Sequence, residues 1–152
     1  MKTLADARSR VEIAGRLRTV TPDSSRRWGR MSAPQMVCHL CDAYRMATGK
    51  RAVSVVTGAF PRTLVKWIAL YFPMRWPPGI PTLREIDQFC EGTKPNDFAQ
   101  DVAELETLLE IIATRKSDFE WPPHPLFGRM SRTDWQRWAY LHADHHLRQF
   151  GA

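Results

Sequence analysis

Cysteine is scarce in this chain, and what there is does not pair. Cys38, Cys41 and Cys90 make an odd number with no disulfide framework, which points to a reducing compartment. Nor is there a long apolar run. The longest, Leu64 to Phe72, is broken by Lys66 and falls far short of a bilayer span. The start, Met1-Lys2-Thr3-Leu4, meets Asp6, Arg8 and Arg10 at once, so no export signal is read there, and cytoplasmic residence is the expectation. The sequence shows no zinc-finger spacing, no RNA-binding signature and no helix-turn-helix. Its net charge of +6 is scattered, apart from Arg26, Arg27 and Arg30, and reads as a basic surface and not as a nucleic-acid footprint. Paired strands are missing too: Ala52 to Val56 is strand-like but has no mate.

What is present is helical. The 152 residues are 43% hydrophobic and 25% charged, which suits one folded domain over 1–152. A first helix is expected from about Leu4 to Val20, with Leu4, Ala7, Val11, Ala14 and Leu17 as its core stripe. A second starts at Ser32, a good N-cap with Pro34 in the first turn, and stops at Gly49. In the third long helix, Asp97 and Gln100 suit a capping box, and Phe98, Val102, Leu105, Leu109 and Ile112 form the stripe. The last begins after Ser131 and runs unbroken toward Gly151. Between the second and third lies an aromatic, proline-rich segment. A short helix from Phe60-Pro61 through Trp67 and Tyr71 is followed by Pro73, Pro77, Pro78 and Pro81. Three roles fit it: covering a site, packing on another subunit, or closing one end of the core. The expected architecture is an all-α four-helix bundle with this insertion between helices 2 and 3.

The chemistry concentrates at the end. His142, His145 and His146 fall within five residues. On a helix, His142 and His146 share a face one turn apart, a spacing that lets two imidazoles hold one divalent ion. Trp135, Trp138, His142, His145 and Gln149 form an inward stripe that turns from aromatic to polar. Buried polar groups need partners or a function. His39 on the second helix supplies a third imidazole. Three imidazoles leave a position open for water or substrate, and zinc leads, with nickel and other divalent ions also suited. His145 rivals His146 as ligand. His145, Asp144 and Gln149 are candidates for hydrogen bonds to the ligating rings. Cys38 and Cys41 sit mid-helix and read as small packing residues, and His124 between prolines reads as a loop residue.

Met36-Val37-Cys38-His39-Leu40 on an early helix, with His142 to Phe150 on the last, resembles the DinB/YfiT-like family of metalloenzymes. The terminal His145-His146-Leu147-Arg148-Gln149-Phe150, with Arg27 to Ser32 before helix 2, is similar to one uncharacterised branch of it. The resemblance implies a four-helix bundle, often a homodimer, with a divalent metal on His39, His142 and His146. It also implies a thiol-dependent transferase or isomerase using a low-molecular-weight thiol such as bacillithiol or mycothiol. Arg148 or Arg45 would then bind a carboxylate of either reactant, against the plainer reading of both as surface arginines. The competing reading is a non-catalytic metal- or ligand-binding module in stress response or sensing. A nucleic-acid binder has only the charge in its favour.

Overall fold

The structure, a computed structural model, describes residues 1–56 and 62–152. Among them it is all-α: α1 (Ala7–Leu17), α2 (Ala33–Ala47), α3 (Arg62–Tyr71), α4 (Phe98–Thr114) and α5 (Arg132–Gln149), with one 3-10 turn at Arg84–Ile86. No strand forms among the described residues. Ala52 to Val56 is irregular, and a single isolated bridge joins His124 and Gly128. The expected helix start at Phe60 and Pro61 lies outside the described residues.

Local chemistry sets most of these boundaries. Ser32 and Gln35 form a reciprocal capping box, as do Ser131 and Asp134. Asp97 Oδ1 accepts from Gln100 N at 2.9 Å, but the return bond from the Gln100 side chain does not form. Gly49, at φ 74°, ends α2 in the left-handed conformation that glycine adopts without a Cβ clash. The stripe expected for α1 is corrected. Val11 is 73% exposed, and the inward face carries Ser9, Ile13 and Leu17. Ser9 is buried because its hydroxyl and backbone N–H both bond to Asp6 Oδ2, so a polar residue holds a core position. α1 is also shorter than expected; Leu4 is buried but precedes the helix.

α5 touches each of the other four helices, and α2 packs on both α4 and α5. α5 also completes the open ends of its neighbours. Gln136 Nε2 donates to Ala113 O and Ile112 O at the end of α4, and Arg137 Nε donates to Leu70 O at the end of α3. These are carbonyls that a helix terminus leaves without intrahelical partners. Asp134 takes bonds from Tyr71 Oη and Lys66 Nζ, fastening α3 to the start of α5. Tyr44 Oη on α2 donates to Ala139 O at 2.9 Å, fixing the α2–α5 approach. No helix of the described residues is long and apolar enough to cross a membrane.

Candidate metal centre

At the α2–α5 contact, His39, His142 and His146 converge. One ring nitrogen from each lies within 4.8 Å of the other two, and all three side chains are buried. His39 Nε2 is 3.2 Å from His142 Nε2. A tetrahedral zinc site with Zn–N near 2.0–2.1 Å needs N···N separations of roughly 3.3–3.4 Å, so this pair lies close to the required spacing.

Two of the three rings have a fixed tautomer. His39 Nδ1 faces Ile86 O at 2.8 Å; a carbonyl only accepts, so Nδ1 carries the proton and Nε2 is left with its lone pair. His146 Nδ1 faces Gln149 Oε1 at 2.9 Å. The amide of Gln149 is itself oriented, because its Nε2 donates to Trp28 O at 2.8 Å. His146 Nδ1 therefore also donates, freeing its Nε2. The third ring differs: His142 Nδ1 is buried without a partner among the described residues. When no ion is held, its Nε2–H donates to His39 Nε2, and its proton is the one that must move or leave for an ion to enter.

Electrostatics suit ligation. Burial pushes His39 below its ordinary value, with the Ile86 carbonyl opposing. His142 and His146 are driven well below theirs, first by burial and then by neighbouring imidazoles of the cluster. Neutral imidazole is the form that binds a metal.

The orienting groups are themselves anchored. Ile86 belongs to the 84–93 segment, which closes on Asp42. This carboxylate, 0% exposed, accepts from Arg45, Arg51, Gln88 Nε2 and both the N–H and hydroxyl of Thr93. Asp42 lies one turn after His39 on α2, so the same helix carries a candidate ligand and the anchor of the loop that orients it. On the other side, the Trp28-Gly29 loop presses on Gln149. Gly29 has φ 77°, and a Cβ there would lie 2.5 Å from Gln149 Nε2. Sequence reasoning missed Asp42, Gln88 and the Ile86 and Trp28 carbonyls. The Arg27-Trp28-Gly29 string carries the resemblance in sequence; its contact with Gln149 appears only in the fold.

A cavity of about 890 Å³ opens over the cluster, and all five histidines of the chain line it. His145 lies beside His146, between the Trp28 and Trp76 rings at 5.9 and 6.2 Å; its Nδ1 is buried and unpartnered among the described residues, and it is not one of the converging three. Gln149 bonds to His146, whereas Asp144 is engaged by Arg16 and Arg148. Arg148 is thereby tied to Asp144 and Arg45 to Asp42 and Glu104, and neither lines the cavity. His124 accepts the Leu126 and Phe127 backbone N–H groups at Nδ1 and stacks on Phe127; burial lowers it to about 3. Cys38 and Cys41 turn toward Asp101 of α4. Burial, then Asp101, pushes the Cys38 thiol up to about 12, and burial raises Cys41 as well.

Fold and site together define an all-α protein with a buried three-histidine cluster that can hold a metal ion. The family model described as "Protein of unknown function (DUF1569)" matches residues 12–152, and the chain belongs to that family. No curated protein and no solved structure matches it.

Proposed function

We propose that the protein is a divalent-metal-binding member of the DinB/YfiT-like superfamily, and that it transfers a small thiol to an electrophilic substrate. In this reading α1, α2, α4 and α5 form the four-helix bundle, and the segment carrying α3 is an insertion. The observation that carries the proposal is the pre-set chemistry of the cluster. Two imidazoles have Nδ1–H bound to Ile86 O and Gln149 Oε1, so their free Nε2 atoms serve as ligands with His142. Zinc or nickel is the expected ion. When bound, it supplies Lewis acidity that favours the thiolate form of a thiol at neutral pH. His39, His142 and His146 would hold the ion, and Trp28, Trp76 and Trp138 form an aromatic wall beside it. The thiol comes from outside the chain, because none of the three cysteines lines the cavity and Cys38 and Cys41 are buried against α4.

Elemental analysis of the purified protein, exposed to zinc or nickel, tests the site against a His142→Ala/His146→Ala variant. About one ion per chain in the wild type and none in the variant is expected. A wild type that takes up neither metal sinks the proposal. Transfer of low-molecular-weight thiols to model electrophiles, with and without metal, then separates a transferase from a non-catalytic metal- or ligand-binding module.

A further inference from the structure

We infer that the cavity over the histidines takes a small molecule with an extended apolar body and a single metal-seeking head. The metal half of this statement rests on the proposed site; the apolar half does not. The cavity formed by the described residues, at about 890 Å³, lies toward the upper end of small-molecule sites, well beyond what a thiol headgroup alone would fill. Its wall is mainly carbon, with Met46, Phe127 and Trp138 buried and Ile68, Met74 and Ile80 toward solvent. A wall of this kind gives water few partners and is better filled by an apolar group.

The polar features of the wall are unevenly placed. Among the described residues only Arg30 and Asp87 bring charge to it: Arg30 lies over the Phe89 ring at 4.6 Å, and Asp87 accepts from Phe89 N at 2.9 Å. The convergent nitrogens are those of the histidine cluster, at one place. A fitting ligand therefore carries its polarity at one end. The mouth agrees with the interior. Ile68, Met74 and Ile80 are 42%, 48% and 50% exposed, and each also lines the cavity. Apolar side chains left at the surface and continuous with an apolar interior are accounted for by an apolar ligand passing between them.

Calorimetric titration with acetohydroxamic and octanohydroxamic acid tests this. The two probes share a metal-seeking head and differ by a six-methylene tail. Transfer of each methylene from water multiplies affinity by roughly fourfold, which sets a ceiling of several thousand-fold. On zinc-loaded protein octanohydroxamate is expected to bind at least about 100-fold tighter than acetohydroxamate. An Ile68→Glu/Met74→Glu variant, changed at two largely exposed positions, is expected to cut octanohydroxamate affinity at least about tenfold more than acetohydroxamate affinity. Zinc uptake is measured separately. Zinc binding with no preference for the longer tail overturns the inference and leaves the metal site standing. A preference for the longer tail in protein that takes up no zinc supports the apolar pocket and removes the metal reading. An equal loss of both probes in the variant also overturns the inference.

Discussion

Two buried polar assemblies sit one helical turn apart on α2, and they are finished to different degrees. Around Asp42 every charge has an answer. Two guanidinium groups, an amide, a hydroxyl and a backbone N–H all donate to one carboxylate. Around His39 the account is short: among the described residues His142 Nδ1 and His145 Nδ1 are buried and unpartnered, and three imidazoles crowd together with no carboxylate among their hydrogen-bond partners. A buried carboxylate whose oxygens are all engaged is scaffold, because little is left there for a ligand to satisfy; at its edge only Gln88 Oε1 is buried without a partner among the described residues. A cluster left short of partners beside a large cavity is where a bound species makes up the difference. The two are coupled, since the loop gathered by Asp42 carries the Ile86 carbonyl that sets the His39 tautomer.

The contrast can be broken at its strong end first. Asp42→Ala leaves Arg45 and Arg51 without their buried partner and is expected to cost about 3–5 kcal/mol in urea denaturation. Metal affinity should fall with it as the 84–93 loop loosens. A cost under about 1 kcal/mol would show that Asp42 is not the anchor described.

Acid is expected to act next, and on the histidine side. His39, His124, His142, His145 and His146 all have folded values below the ordinary one, with burial the leading cause. The unfolded chain therefore binds more protons than the folded one once pH drops below about 6.5. The histidine contribution to the stability of the metal-free protein should be flat above about pH 7. It should then fall as pH is lowered from about 6.5 toward the folded values, by about 1.4 kcal/mol per pH unit for each histidine protonated only when unfolded. A thermal midpoint unchanged between pH 7 and pH 5 would contradict a neutral buried cluster.

A smaller effect is expected from the support of one ring. Gln149→Leu strands the His146 Nδ1–H and the Trp28 carbonyl, and chelator competition should show metal affinity lowered by about 10–100-fold. Gly29→Ala should act in the same direction, since its Cβ would displace the same amide. Arg148→Ala closes the series. Its pair with Asp144 is partly exposed, so a change below about 1 kcal/mol and unaltered metal content are expected. Loss of metal in that variant would return Arg148 to the site.

The legible parts of the molecule were those written locally. Ser32, Asp97 and Ser131 cap helices because a side-chain oxygen reaches a backbone N–H three residues on. The spacing of His142 and His146 is a property of any helix. His39 could be placed beside them only through the resemblance and an inward register, and the structure brings the three together. In α1 the periodicity misled, because buried Ser9 is disguised by its bond to Asp6 while Val11 faces water. The support for the rings was not legible at all. Two of its parts are backbone carbonyls, which have no sequence signature, and Asp42 becomes a hub only once residues up to fifty-one positions away fold onto it.

The clasp between His146, Gln149 and Trp28 has a consequence for how the protein is made. Trp28 and Gln149 are 121 positions apart, and His39 and His142 are 103 apart. No fragment of nascent or partly folded chain brings these groups together by local structure alone, so completion of the triad waits on the slow, long-range docking of α5 onto α2. An ion that needs all three rings would ignore folding intermediates and bind the finished protein, making metal uptake a clock for the last step of folding.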